Sequence, residues 1–400
     1  MRVQLWKSIA MRISDQEYNR LAVLKRLRGA EPVSRTELAA LSGLNGGTIT
    51  AIVRDLVDRG LVREERTSSP GRGRPKVNLR IDPEAGFVAG ASMTSDGRIE
   101  GEIVNLRGES VFSFHHAPRQ SSKLDELAHC FADAIEQAIA SASLAKNQIA
   151  QVGISLPAIV DRHRGVVEFL ETFDDAPIPF AATVEGRLLI PTRIDNNMNL
   201  LARAEHWFGD ADVEDFTIVL LGLGLGAARY QGGQLLTGSH GIEAEFGHTK
   251  IVPEGGRPCH CGAQGCLQTY SSISGMVQLW CEENGREPPL HHQMSRIFAE
   301  MVVLAQAGDT LVRGILSRAV RYLGRGLANH INMQDPQRIV VLSENADLVS
   351  LISEELFATL ERDTLPVLRH RARITFKTMG RPRYAQGAAA MMLERIYKSS

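Results

Sequence analysis

Cysteine is scarce in this chain. There are five among 400 residues, and three of them lie between positions 259 and 266. That usage excludes a secreted fold held by a disulfide framework and places the chain in a reducing compartment, most simply the cytoplasm. Long apolar runs are missing as well. No stretch approaches the ~20 apolar residues a membrane-spanning helix needs. The opening segment MRVQLWKSIAMRISDQE lacks the apolar centre of a signal peptide, so no membrane association is expected. A large net charge is also absent, with 45 Lys and Arg against 46 Asp and Glu. The near-balance hides an asymmetry. Residues 1–80 carry 16 basic and 8 acidic side chains, and the remaining residues carry 29 and 38. A basic head on an acidic body points to a polyanion as the partner of the head, although a basic solvated face is common in proteins of every class. The length, with 44% hydrophobic residues, suits two or three globular domains.

What is present is concentrated in the stretch Glu243–Gln268, EAEFGHTKIVPEGGRPCHCGAQGCLQ. His248 is followed by Cys259, Cys261 and Cys266 in a C-x-C-x4-C spacing. Three thiolates and one imidazole make the donor set of a closed tetrahedral zinc site. Pro258, Gly262 and Gly265 suit the tight turns of such a knuckle. Four protein ligands leave no open position for water, so one structural zinc ion per chain is expected. The plainer alternative is three buried free thiols.

The basic head reads as three helices and a hairpin. Residues 15–29 carry an apolar stripe of Leu21, Leu24 and Leu27 with Val23. A second helix starts after Ser34, with Glu37 placed to close a capping box, and ends at Gly43. A third is capped by Asn45 or a neighbour, runs through Ile49, Ile52, Val53 and Leu56, and closes at Gly60. Two β-prone segments, 61–65 and 76–81, flank the tip Gly71-Arg72-Gly73-Arg74-Pro75. This is the layout of a winged helix-turn-helix. The start of the third helix offers Asn45, Gly46, Gly47, Thr48 and Thr50 to base edges in a major groove. Arg54 suits a phosphate or a base further along, and Arg35 a phosphate. Arg72 and Arg74 suit a narrow A·T minor groove. A small protein-binding bundle with a polar linker is the alternative.

The body alternates strands and helices. Strands are expected at 87–93, 97–106, 110–116 and 148–157, with a helix at 124–142, and by physics alone this is an α/β fold. The G-x-x-A-E-F-G-H segment followed by C-H-C-G-A-Q-G-C-L-Q resembles the signature of the ROK family of repressors and sugar kinases. The resemblance implies a two-lobed, actin/hexokinase-like body with domains at 1–82 (winged head), 83–205 (lobe 1) and 206–400 (lobe 2, with a C-terminal helix that returns to lobe 1). It further implies that His248 binds zinc through one ring nitrogen while facing a sugar, with Glu245 accepting bonds from sugar hydroxyls. Gln268 stands where the family has Glu, and an amide accepts such bonds less strongly than a carboxylate.

Other family landmarks are altered. Ser92 stands at the Asp of the kinase phosphate motif. Asn197 stands at the Asp that serves as general base, and an amide has no useful proton affinity near neutral pH. Asn196 and Asn197 remain able to hydrogen-bond a ligand, or they form only a turn and helix cap. The glycines Gly222, Gly224 and Gly226 mark the turn that approaches nucleotide phosphate in the kinases, and the base-side glycine pair is replaced by Ser343-Glu344-Asn345. The expectation is a repressor of carbohydrate genes without kinase activity. Its homodimer, or dimer of dimers, binds a pseudo-palindromic, A/T-rich operator, and a sugar or sugar phosphate between the lobes controls it. The rivals are an active sugar kinase with a regulatory head, and a regulator whose effector is a protein.

Overall fold

The computed structural model describes residues 15–67, 76–94, 97–117, 123–170, 173–209, 214–238, 245–343, 345–379 and 383–397. Two compact units result, Met1–Asp195 with Tyr384–Ser400, and Asn196–Arg383.

The first unit begins with α1 (Asp15–Ala30), the short β1 (Val33–Ser34), α2 (Arg35–Ser42) and α3 (Gly46–Asp58). The capping box forms as the sequence predicts. Ser34 Oγ accepts the Glu37 amide, the Glu37 carboxylate accepts the Ser34 amide, and Gly43 ends the helix in the left-handed region. Asn45 caps α3, its Oδ1 accepting Thr48 N–H at 2.9 Å. Val23, Leu24, Leu27, Leu38, Ile49, Ile52, Val53 and Leu56 are buried between the three helices. Strands β2 (Val62–Thr67) and β3 (Lys76–Ile81) form the wing, and β1 adds a third strand in the order β1-β3-β2. Sequence patterning does not show β1, because two residues carry no period. The tip holding Arg72 and Arg74 lies outside the described residues.

A single 3-10 turn, Pro83–Ala85, leads into the body of this unit. There β4 (Phe87–Met93), β5 (Ile99–Asn105) and β6 (Ser110–His116) are followed by α4 (Leu124–Ser141) and β7 (Ile149–Leu156). A hairpin of β8 (Ile159–Asp161) and β9 (Val166–Phe169), then α5 (Phe180–Leu188) and β10 (Thr192–Asn196), complete it. The sheet order is β10-β7-β4-β5-β6, with β4 antiparallel to β5 and parallel to β7. One face is covered by α4 and α5 through Phe131, Ile135, Ile139, Phe180 and Val184.

The second unit opens with α6 (Asn197–Phe208). The strands β11 (Phe216–Leu221), β12 (Leu225–Gln231) and β13 (Gln234–Leu235) follow, then α7 (Gln268–Ser271), α8 (Ile273–Glu283), α9 (Met294–Gln306) and α10 (Thr310–Gln334). Next come β14 (Arg338–Ser343), α11 (Ala346–Asp363) and β15 (Arg373–Thr378). Its sheet runs β13-β12-β11-β14-β15, parallel from β11 through β15. Helices α8 to α11 bury one continuous core against it.

The last helix, α12 (Arg383–Tyr397), packs on the first sheet. A methyl group at Gly90 would lie 2.1 Å from the Ala385 carbonyl, and one at Gly153 2.2 Å from that of Ala388. Two strands and a helix backbone meet there without side chains between them. No helix among the described residues is long and apolar enough to cross a membrane.

Candidate functional site

His248 lies on a single 3-10 turn, Phe246–His248, packed on β12. The packing requires glycine at 247, because a Cβ there would meet the Leu225 carbonyl at 2.1 Å. The chain then forms a knuckle. Cys259 N–H donates to Ala263 O at 2.8 Å, and Gly262 N–H donates to Cys259 O at 2.9 Å. Gly262 and Gly265 adopt φ of +82° and +72°, as the sequence anticipates for its turns. At Gly265 a side chain is excluded outright by Val252 O.

The knuckle brings His248, Cys259, Cys261 and Cys266 together, with one donor atom from each within 4.8 Å of the others. Cys259 Sγ is 3.6 Å from His248 Nδ1, and Cys261 Sγ is 3.7 Å from Cys266 Sγ. These four residues could hold a metal ion. The ring of His248 is directional. Nδ1 faces the sulfurs, while Nε2 faces outward, 3.9 Å from Glu245 Oε2. Burial, reinforced by His260 and Lys250, holds the His248 ring below the usual histidine range, so near neutral pH it is in the uncharged state that ligates metals. Desolvation raises the Glu245 carboxyl, although over half of its side chain reaches solvent.

Two residues beyond the expected set touch this cluster. Lys250 Nζ donates to Cys266 Sγ at 3.0 Å and to His248 O at 2.8 Å. Its position two residues after His248, on an extended segment bridged to Cys266, was the available signal. His260 lies exposed between the first two cysteines, its ring 5.2 Å from that of His248 and its Nε2 2.5 Å from Gln268 Nε2. Gln268 also donates to Cys259 Sγ at 3.3 Å. Gln268 therefore touches both the cysteines and the outer histidine.

In the head, Asn45, Gly46, Gly47 and Thr50 are exposed at the start of α3, Thr48 is half-buried, and Arg54 is exposed one turn further on. Thr50 Oγ1 donates to Gly46 O at 2.7 Å. Arg35 is ion-paired to Glu64 of β2.

Residues 98–395, well over half of the chain, match the ROK family model. This chain belongs to the ROK family. Residues 13–74 of the ROK chain match the MarR family of helix-turn-helix proteins. Its relatives include the DNA-binding transcriptional dual regulator NagC of Escherichia coli K12, 28% identical over 88% of this chain and 89% of that protein. A glucokinase of Halalkalibacterium halodurans is 26% identical over 62% of this chain and 78% of its own length. Among solved structures, a ROK family transcriptional regulator described as a homolog of E. coli Mlc superposes with a TM-score of 0.82. It is 24% identical and covers 96% of both chains, which shows the shared fold.

The positions that the resemblance aligns with kinase landmarks have distinct surroundings in this ROK chain. Ser92 is fully buried, its Oγ 3.4 Å from Glu100 Oε1. Asn196 is the N-cap of α6, its Oδ1 accepting Met198 N–H at 2.8 Å, so the cap alternative accounts for that side-chain oxygen. Asn197 is the first residue of the helix. Met198 packs against the start of β12. A Cβ at Gly226 would sit 2.6 Å from Met198 Cγ and 2.8 Å from its sulfur. The sequence does not signal this contact, since nothing local joins residues 198 and 226.

Proposed function

We propose that the chain is a transcriptional repressor of carbohydrate uptake or catabolism genes, acting in the cytoplasm. The observation that carries this reading is one chain with an exposed helix-turn-helix face and a ROK body, matching a DNA-binding regulator over nearly its whole length. The residues assigned to DNA are Asn45, Gly46, Gly47, Thr48, Thr50 and Arg54 for the major groove and Arg72 and Arg74 for the minor groove. Arg35 is the weakest of the set, because Glu64 already neutralises it. A symmetric homodimer would present two heads to a pseudo-palindromic, A/T-rich operator.

The metal is zinc on this reading. Donors ~2.1–2.3 Å from a tetrahedral ion lie about 3.4–3.8 Å apart; two pairs in the cluster, at 3.6 and 3.7 Å, fall in that range, and all four donors lie within 4.8 Å of one another. His248, Cys259, Cys261 and Cys266 would hold it, and the ion supplies a rigid mount and no reaction. Through it His248 Nε2 is fixed toward Glu245, and the pair offers a polar edge to sugar hydroxyls. Gln268, in contact with Cys259 and His260, extends that edge, and Asn197 is retained as a further ligand candidate. A sugar or sugar phosphate alters operator affinity only if it binds the two states of the repressor unequally.

Kinase activity is lost on this reading. Asn197 cannot take the hydroxyl proton, and absence of a general base alone costs typically 10²–10⁴-fold. Met198 also packs on Gly226 of β12, just after the glycine turn that the resemblance aligns with the kinases' phosphate turn. The match to a glucokinase keeps the kinase as the second reading.

Fluorescence anisotropy of the protein on its own upstream DNA tests the proposal, titrated with xylose, glucose, N-acetylglucosamine and their phosphates. Tight, salt-sensitive binding released by one sugar is the expected result. Binding that no sugar alters would point to a protein effector. Absence of specific binding, with ATP-dependent sugar phosphorylation, would replace the repressor by the kinase.

A further inference from the structure

Glu31 follows the last residue of α1, and its side chain is 4% exposed. Each of its oxygens is committed to a different element. Oε2 accepts Ile81 N–H, at the end of the wing strand β3, at 2.6 Å. Oε1 pairs with Arg107 Nε at 2.9 Å. Arg107 belongs to the turn between β5 and β6, in the body. One buried carboxylate thus joins the first helix of the head, the wing and the body sheet.

The turn that presents Arg107 is built for position. Asn105, itself buried, accepts the amides of Arg107 and Glu109 on Oδ1 at 2.9 and 3.1 Å and donates through Nδ2 to Glu109 Oε2 at 2.8 Å. Gly108 takes φ of +82°, which closes the turn. The chain between head and body is anchored beside it. Asp82 N–H donates to Leu61 O at 2.9 Å, Asp82 Oδ1 caps the Pro83–Ala85 turn, and that turn packs on β5. The same strand β5 begins at Ile99, beside Glu100 and Ser92 of the altered phosphate motif. It ends at Asn105, so a strand about 20 Å long connects that motif to the head.

We infer that Arg107 is a positioning residue: through Glu31 it fixes the pose of the DNA-binding head on the body, and β5 is the element through which the body sets that pose. The geometry explains why a carboxylate is needed. A buried charge that loses its partner is strongly unfavourable, so the contact is made whole or not at all, which suits a latch with two states. The consequence for DNA rests on the repressor reading, whereas the latch itself does not.

The test is hydrogen–deuterium exchange by mass spectrometry on the full-length Arg107→Met protein, beside Arg107→Lys and Glu31→Gln. The expected result is exchange at least tenfold faster in residues 79–87 and at the end of α1, with α3, β11 and the knuckle unchanged. Arg107→Lys should restore a large part of the protection. The Glu31→Gln/Arg107→Met double variant should exchange no faster than the worse single variant. In parallel, upstream DNA lengthened by two base pairs between half-sites should bind the Arg107→Met protein with a smaller penalty than it binds wild type. Unchanged exchange at 79–87, or acceleration spread equally over α3 and the body, would overturn the inference. Local acceleration in a protein that shows no operator binding would leave the latch standing and defeat the repressor reading instead.

Discussion

Two neighbouring parts of the second unit have met different fates. Around His248, the donor set, the knuckle turns and the outward carboxylate of Glu245 form one arrangement fit to hold a metal and face a polar ligand. At the start of β12 the space against Gly226 is filled by Met198, and the residue before Met198 is an amide. Both parts rest on the same kind of backbone, with Gly247 pressed on Leu225 O and Gly226 on Met198. The comparison teaches that one close-packed frame can carry a metal-competent donor set at one place and only an amide and a methionine at another.

The strongest way to break the comparison is to remove the metal. Cys261→Ala should reduce zinc from one ion per chain to near none by elemental analysis and abolish control of DNA binding by any sugar. A response that survives in zinc-free protein would show that the knuckle serves stability alone.

The two glycines come next. Gly247→Ala forces a methyl group onto backbone, which has nowhere to move, and should cost about 3 kcal/mol of unfolding free energy in denaturant titrations together with loss of zinc. Gly226→Ala meets only the flexible Met198 side chain and should cost about 1 kcal/mol, recovered by the added Met198→Ala change. Equal costs would contradict the view that one contact is frame and the other filling.

The pH dependence sharpens the frame itself. His330 lies behind Phe246, its Nε2 2.8 Å from Thr217 Oγ1, and burial with help from Arg229 lowers its pKa to about 4. Above pH 6.5 the ring is neutral in both folded and unfolded chains. Between 6.5 and 4 only the unfolded chain takes the proton, so folding stability falls as pH falls, by about 3 kcal/mol over that window. His330→Gln should flatten that slope in urea titrations, and an unchanged slope would discount the buried ring.

The smallest expected effect belongs to Lys250. A zinc ion held by three thiolates and a neutral imidazole would carry a net negative charge, which Lys250 Nζ, 3.0 Å from Cys266 Sγ, would offset. Lys250→Met should speed zinc loss to a chromogenic chelator about tenfold, within the range typical of such outer partners.

Much of this was legible from local pattern. Ser34 with Glu37, Asn45, the body strands and the four metal-site residues were each specified by spacings of a few residues, because caps, strands and knuckles are short-range devices. What was not legible depends on distance in space. The pairing of Arg35 with Glu64, the contact of Met198 with Gly226 and the bond from Glu31 to Arg107 join segments with no common period. Asn196 shows a subtler limit. The same residue type serves a cap or a ligand, and only the geometry of Met198 N–H decides which its oxygen serves.

The return of α12 to the first sheet has a consequence for how the protein is made. Gly90 and Gly153 leave the ribosome early, whereas Ala385, Ala388 and Ala389, which seal that sheet face, leave it near the end. The head can close on its own local contacts, but the body behind it waits for a partner encoded more than half the chain away. Non-local closure of this kind is slow and exposes apolar surface in the interval. A nascent or truncated chain would carry a finished DNA-binding head on an unfinished body, so chaperones are expected to engage the sheet face that α12 later covers.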